Sequence, residues 1–483
     1  MTPTETLPVV RPFINGEWVD GTGEEVVVRD KFSDTPVTRV QCSDRQQVTT
    51  AVDGVVAAAA ATIRLSQYER YRILSAAAAL VERRREELME AVRVDTGFVA
   101  ADVTREVERT QETLQLCAEE AKRLAGEVVP LEGAAGQRGR FAYTRFDPLG
   151  VVCAITPFNS PLNTVAHKLG PALAAGNAVI LKPAMQTPRS ADALIRLLLD
   201  AGVPPQMLSV VYGEGSTVGQ WLAEDQRIAY YAFTGSTRVG EILHRTVGMR
   251  RTQLEMGSLA STIICADADL ERSSRLALTG AFRKSGQVCT SVQRLYVHRD
   301  VVGEVTERLA AALQDATWGD PADPACFVGP LISPADAERV KSWIDEAVDR
   351  GADVVAGGEK RGNVVAPTVL TRVARDTTIM QNEVFGPVVL IREFTDLAEA
   401  IDDANATPYG LAAGIFTRDI GAAMEAAEKL QMGAVHINET SSSRVDLMPF
   451  VGVKRSGFGG AEGPRYAIRD MSQERLITVS RPS

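Results

Sequence analysis

Cys289 lies in the octapeptide KSGQVCTS, residues 284–291, behind a Gly-Gln pair and beside two hydroxyl residues. A thiol acts as a nucleophile when its pKa falls or a base assists it, and otherwise it packs as a small apolar group. Cys289 by itself fits either description. Asn159, in TPFNSP (residues 156–161), ends a run that reads as a strand. Ligands of open α/β sheets bind at such carboxyl edges, where a side-chain amide can donate to a developing oxyanion or simply close an Asx turn. Glu255, in QLEMGS (residues 253–258), follows a short strand pattern and precedes a glycine. Its carboxylate can serve as general base on a water if held in a partly apolar cleft, or be an ordinary solvated acid if not. Gly213, Gly215 and Gly219 of YGEGSTVG have a GxGxxxG spacing between a strand and a helix, which suits close approach to a pyrophosphate and also suits a plain turn.

Bringing residues 159, 255 and 289 together needs a large framework. At 483 residues the chain exceeds one typical core, so two or three domains are expected. A composition 45% hydrophobic and 24% charged is that of a soluble globular protein. The formal net charge of -10 argues against nucleic acid or an anionic membrane as a general partner, because both reward a basic surface. The six cysteines (Cys42, Cys117, Cys153, Cys265, Cys289, Cys326) show no CxxC pair and no nearby histidine cluster. Neither a metal site nor a disulfide framework is suggested, and reduced thiols in a cytoplasmic protein are expected. The first thirty residues read as no export signal, and the alanine-rich run VVAAAAAT is too short to span a bilayer.

From Gln46 to Gly126 apolar residues recur at helical spacing, as in SAAAALVERRREELMEAV, which predicts a helical layer. The following GEVVPLEGAAGQRGRFAYTRFDPLG breaks that period and reads as an extended hairpin suited to pairing with another subunit. After Gly150 strands and helices alternate (GVVCAIT, TVAHKLGPALAAG, AVILK, RSADALIRLLLDAG, LSVVYG, IAYYAFTGS), implying βαβ units and a parallel Rossmann-type sheet. A second α/β region runs from about Leu259 to Asn438, with QRLYVHRD, DVVAGG and VVLIREF as strands. No linker divides the halves, so a cleft between closely packed domains is expected.

Taken in order, FINGEWV, TPFNSP, ILKPA, FTGSTRVG, LEMGS, SGQVCTS, NEVFGP and MPFVGVKRSGFGG resemble the aldehyde dehydrogenase superfamily, and the likeness covers nearly the whole chain. It implies an α/β fold: a Rossmann-type nucleotide-binding domain (residues 1–124 and 149–258), a second α/β catalytic domain (259–445) and a β-hairpin oligomerisation arm (125–148 and 446–483). It also implies that Cys289 attacks the aldehyde carbonyl and that Asn159 and the Cys289 N–H hold the oxyanion. Hydride would then leave for the nicotinamide, and Glu255 would activate water to hydrolyse the thioester. Relatives that pass the acyl group to coenzyme A typically lack this glutamate, so Glu255 favours hydrolysis. A CoA-acylating dehydrogenase and a non-catalytic nucleotide-binding relative are the alternatives.

The same resemblance assigns the nucleotide to Ile155, Thr156, Phe158, Lys182, Gly215, Gly219, Phe233, Gly235, Ser236 and Gly257, and its nicotinamide ribose to Glu383 and Phe385. Where many NAD-preferring relatives carry a glutamate, this chain has Met185, which tilts the expectation from NAD towards NADP; Arg189 and Arg238 are candidate helpers. Lys284 replaces a frequent asparagine and reads as a cation of the catalytic loop or as a surface lysine. Val451 stands where glycine is usual. Arg444, in NETSSSRVDLMPF, and Arg109, in REVERTQETLQLC with Arg105, are candidate anchors for an anionic aldehyde, since guanidinium groups clamp carboxylate, sulfonate or phosphate. The pattern RVDLMPF resembles the branch of lactaldehyde, phosphonoacetaldehyde and succinate-semialdehyde-type enzymes. A small aldehyde substrate and a homodimer or homotetramer are implied.

Overall fold

The computed structural model describes residues 7–60 and 65–480, so the chain ends assigned above to the nucleotide domain and the arm, residues 1–6 and 481–483, lie outside the described residues, as do 61–64. The helical layer comprises α1 (Arg45–Ala60), α2 (Gln67–Arg83), α3 (Arg85–Thr96) and α4 (Ala100–Arg123). Ser66 and Glu69 form a reciprocal capping box that starts α2, and Gly97, left-handed at φ 65°, ends α3. On α4 the buried stripe Val103, Glu106, Val107, Thr110, Thr113, Leu114, Cys117 follows helical spacing and packs on α5 (Asn163–Ala175). Glu106 is a carboxylate in an otherwise core-facing stripe.

Five parallel strands lie side by side in the order Arg251–Glu255, Tyr230–Thr234, Val151–Ile155, Ala178–Lys182, Leu208–Val210. This is the Rossmann half expected from the strand-helix alternation. Their sequences are apolar almost throughout because both faces are covered. The order reverses between Val151–Ile155 and Tyr230–Thr234, so the ligand crevice opens at the carboxyl ends of those two strands. Residues 155–159 and 233–236 issue from there.

The second sheet is built of Asp353–Ala356, Thr368–Thr371, Val388–Phe394, Arg294–His298, Ser261–Ile264, Ala412–Phe416 and Ala434–Ile437, in that spatial order. All its neighbours are parallel except the edge strand Asp353–Ala356. Cys289 occupies the connection from the helix Leu270–Phe282 into Arg294–His298.

The expected hairpin is present as Val128–Val129 against Arg140–Pro148. Ser472–Ser480 joins it antiparallel over nine residues. The segment expected for the arm from residue 446 divides, however. Gly457–Gly459 pairs with Arg251–Glu255 as an edge of the nucleotide sheet, and Val453–Lys454 pairs with Tyr409–Gly410. The first of these ladders ends at Glu255, which faces Gly457. Among the described residues no helix is long and apolar enough to cross a membrane.

Candidate active site

The strand Val151–Ile155 delivers Asn159 to the loop that carries Cys289: its Nδ2 donates to the main-chain oxygen of Gln287, two residues before Cys289, at 2.7 Å. The amide thus ties the loop after that strand of the first parallel sheet to the loop that carries Cys289. One amide hydrogen is held by Gln287, which fixes the direction of the other. Gln287 is itself locked: its Oε1 accepts from Ile332 N at 2.9 Å and its Nε2 donates to Lys284 O at 3.1 Å.

The loop before Cys289 is left-handed at three successive residues, Lys284 (φ 51°), Ser285 (φ 56°) and Gly286 (φ 71°). Only the last is a glycine, and it has to be: a Cβ there would run into Gly386 O. Such a conformation persists because its surroundings over-determine it. Lys284 is not a surface lysine. It is buried, and its Nζ donates to Glu106 Oε2 at 2.7 Å, Asn159 O at 2.8 Å and Ser160 Oγ at 3.3 Å.

Cys289 is partly exposed, but desolvation pushes its thiol up to about 12; Arg444 draws it down, and the carboxylates of Glu383, Glu255 and Glu462 push it up. Glu255, the last residue of its strand, is buried rather than solvated, and among the described residues neither carboxylate oxygen has a hydrogen-bond partner. Burial and the nearby Glu462 raise its pKa well above the ordinary range, against Lys168 and Arg444. Burial thus disfavours the charged form of both groups in this arrangement.

Around them lie three buried ionic clusters. Lys168 Nζ donates to Glu462 at 2.5 Å and to Gln253 at 3.1 Å, and Arg444 reaches the other Glu462 oxygen at 2.7 Å. Arg109 spends two nitrogens on Asp446, at 3.1 and 2.6 Å, and His167 Nε2 lies 2.7 Å from the same carboxylate. Arg109 is thus committed to the C-terminal loop, which tells against its use as a substrate anchor, and Arg105 is exposed on the far side of α4. The third cluster is the Lys284 and Glu106 pair.

Arg283 was not apparent from the sequence. It donates to Ser442 O at 3.1 Å, its Nε has no partner among the described residues, and no carboxylate lies within ion-pairing distance of it among them. Burial, with help from Arg109, pulls it down to about 10, so it stays charged at neutral pH. It is half-buried, and its electrostatic neighbours are Arg109, Asp102, Cys289 and Arg444. The signal was a charged residue six positions before the cysteine, next to Lys284. Lys168 and His167 had a clearer one, being polar in a helix that is apolar almost all round.

The residues assigned to a dinucleotide fit one. Thr156 Oγ1 is buried with no partner among the described residues, at the carboxyl end of the strand that opens the crevice. Lys182 Nζ, lowered to about 8 by burial against the pull of Glu214, donates to Pro183 O at 3.3 Å. Gly215 and Gly219 bound a short helical turn beside Lys182, and a Cβ on Gly215 would meet nothing within 4 Å. Ile155 and Phe233 end adjacent strands, Gly235 N donates to Glu255 O at 3.0 Å, and Ser236 caps the next helix. Glu383 accepts from Ser258 N at 3.0 Å and is raised to about 7 by burial. A Cβ on Gly257 would lie 2.5 Å from its carboxylate, so a larger residue there would displace that acid. Phe385, at φ 46°, meets Phe158 edge-on at 5.8 Å between centroids, and a cleft lined by Ser258, Cys289, Glu383 and Phe385 joins this end to the thiol. Met185 is buried, its sulfur accepting from Gly213 N at 3.1 Å. Arg238 is exposed, whereas Arg189 sends its backbone N–H to Asp95 at 3.3 Å. Val451 has no positive φ and needs no glycine.

A sequence model of the aldehyde dehydrogenase family matches residues 18–477. The 3-sulfolactaldehyde dehydrogenase of Priestia megaterium is 43% identical over 468 residues, 97% of each chain. The NADP-dependent glyceraldehyde-3-phosphate dehydrogenase of Bacillus halodurans C-125, solved with NADP, superposes with a TM-score of 0.94 at 34% identity, over 98% of this chain and 99% of that one. Aldehyde dehydrogenase 21 of Physcomitrella patens, solved with its product succinate, gives 0.94 at 33% identity, again over 98% and 99%.

Proposed function

We propose, from the premise that this chain belongs to the aldehyde dehydrogenase family and is an NAD(P)-dependent aldehyde dehydrogenase, that its substrate is a short anionic aldehyde and that Cys289, Glu255 and Asn159 carry the chemistry. The observation that carries the substrate class is Arg283, a half-buried cation that makes no ion pair among the described residues, is balanced only by the longer-range pull of Asp102, and lies within electrostatic reach of Cys289. A half-buried guanidinium with an open donor is suited to bind an anion. A sulfonate, carboxylate or phosphate two or three bonds from the aldehyde carbon would supply that anion, with Arg444 beside it. The relatives support this reading: one acts on sulfolactaldehyde, and another was solved with succinate.

In the mechanism the Cys289 proton leaves to water as Sγ bonds to the aldehyde carbon and the carbonyl electron pair moves to oxygen, which leaves the basic form of Glu255 free for the later hydrolysis. The Asn159 Nδ2 hydrogen left over from Gln287, with the Cys289 N–H, stabilises that oxygen. Bound NAD(P) supplies the two-electron oxidation that turns the thiohemiacetal into a thioester. Thr156, Lys182 and the 215–219 turn would hold its adenosine and phosphate end, and Glu383 its nicotinamide ribose. Glu255 then takes a proton from water, hydroxide adds to the thioester carbon, and the Cys289 thiolate leaves, releasing the acid. Met185 supplies no carboxylate to repel a 2′-phosphate, which supports NADP use.

The test is reduced-nicotinamide absorbance over a panel of short neutral, carboxylated, phosphonylated and sulfonated aldehydes with NAD and with NADP, beside Cys289→Ala. Turnover highest with an anionic aldehyde and abolished in the variant is expected. Equal turnover of neutral and anionic aldehydes would refute the substrate class, and acceleration by free coenzyme A would refute hydrolysis. The paired strands at 128–148 and 472–480 present an arm whose outer edge suits a homodimer or homotetramer.

A further inference from the structure

Asn159 can polarise a carbonyl only if its main chain stays still, and the turn that carries it is gripped from two sides. On one side Glu106, from the buried stripe of α4, accepts from the N–H groups of Leu162 (3.2 Å) and Asn163 (2.9 Å) and from Ser160 Oγ (2.7 Å). It thereby takes up donors at the start of α5 that have no partner within that helix. On the other side Lys284, five residues before the nucleophile, donates to the carbonyl oxygen of Asn159 at 2.8 Å and to Glu106 at 2.7 Å. The Lys284 N–H is in turn held by Asp102 Oδ2 at 2.7 Å, one turn before Glu106 on α4. Burial alone would raise the Glu106 carboxyl, but Lys284 and the hydrogen bonds bring it below the ordinary range, so the pair is ionic. Its lysine end occupies the left-handed stretch of the catalytic loop.

We infer that Lys284 is a positioning residue for the oxyanion site: with Glu106 it ties the main chain of Asn159 to the loop bearing Cys289, so that the amide and the sulfur hold one register across the domain boundary. A neutral side chain at 284 would leave the Asn159 carbonyl without its charged donor and free the 159–162 turn to rotate its amide off the substrate oxygen. Lys284 acts through Asn159 and touches neither substrate nor cofactor. The inference rests on the reading of Asn159 as the oxyanion donor.

The experiment compares four proteins with the anionic aldehyde that the wild type turns over best: wild type, the matched neutral pair Lys284→Met with Glu106→Gln, Asn159→Ala, and all three changes together. The paired change is used because removing the lysine alone would strand a buried carboxylate. Lys284→Met alone is the second arm, and thermal unfolding accompanies each protein. Asn159→Ala should lower kcat by roughly 10²- to 10³-fold, as loss of one oxyanion donor does. The neutral pair should lower kcat about tenfold or more, the scale of a misplaced catalytic group, while the cofactor KM changes little. In the Asn159→Ala background the pair should cost almost nothing further. If the two losses multiply, or if the pair lowers the melting temperature with kcat intact, Lys284 is a structural staple and the inference fails. If Asn159→Ala leaves kcat untouched, the oxyanion reading falls, and this inference with it.

Discussion

Replacing Arg283 by methionine separates an anion anchor from a structural cation. Among the described residues the guanidinium makes one hydrogen bond, to Ser442 O at 3.1 Å, and its Nε has no partner. One charge-assisted bond to a substrate anion contributes about 1.5–3 kcal/mol, which is roughly ten- to a hundredfold in kcat/KM. Methionine retains most of the stem, so little packing is lost, and removal of a half-buried charge that makes no ion pair should leave the melting temperature nearly unchanged. The assay is kcat/KM for a sulfonated or carboxylated three-carbon aldehyde and for propionaldehyde, on wild type and Arg283→Met. The anionic substrate should lose that tenfold or more through KM, and propionaldehyde should lose less than threefold. Because burial brings Arg283 down only to about 10, the preference for the anion should persist through pH 9 and fade as pH passes 10. Equal losses on both aldehydes would refute the reasoning, since they would mean that Arg283 shapes the Cys289 loop rather than reading charge.

Glu255→Gln should permit acylation but stall hydrolysis, giving a burst of about one equivalent of reduced cofactor followed by a rate lowered roughly 10²- to 10⁴-fold, measured by stopped flow. In the wild type Glu255 is raised, so its basic form appears only as pH climbs, and kcat should increase with pH through an inflection above the ordinary carboxylate range. Glu383 is raised to about 7, so the KM for cofactor should rise as pH falls below 7, and Glu383→Gln should flatten that dependence. Met185→Glu should move preference from NADP towards NAD by at least about tenfold in kcat/KM, because a carboxylate near a 2′-phosphate is repelled by several kcal/mol at close range. Asp446 is held far below the carboxylate range by His167 and Arg109 against burial, so its stabilisation is present above pH ~4 and lost as pH falls further. Asp446→Asn should accordingly lower neutral-pH stability by about 3–5 kcal/mol, read by denaturant unfolding.

The Rossmann half was legible because parallel strands buried on both faces leave continuous apolar runs, and Val151–Ile155 and Ala178–Lys182 are such runs. Cys289, Glu255 and Asn159 could be proposed from short motifs, but the state of each depends on residues distant in the chain. Glu255 is buried on a strand that Gly457–Gly459 pairs at its edge, and that pairing joins residues some two hundred positions apart. The sequence reading treated Arg109 and Arg444 alike. Only the fold separates one bound twice to Asp446 from one that shares Glu462 with Lys168. Arg283 escaped because a lone arginine after a helix has the look of a surface charge. Glu106 did carry a signal, a carboxylate at a core position of α4, and a strict search for polar residues in apolar stripes would have found it together with His167 and Lys168.

The three buried ionic clusters share one geometry: each joins α4 or α5 to a loop that serves the thiol, through Lys284 in the catalytic loop, Asp446 and Arg444 in the C-terminal loop, and Glu462 beyond it. Buried ion pairs contribute little net stability compared with apolar packing of the same volume, so stability alone does not account for three of them at one place. What they do provide is direction. An apolar contact allows a loop to slide by an ångström, whereas Arg109 with two bonds to Asp446, or Lys284 with three acceptors, permits one register. An ångström matters in a reaction that needs sulfur, amide and carboxyl around a single carbon. Replacing any one cluster by matched apolar residues should therefore leave the fold intact and cost rate, which is the pattern expected of preorganisation rather than of core stabilisation.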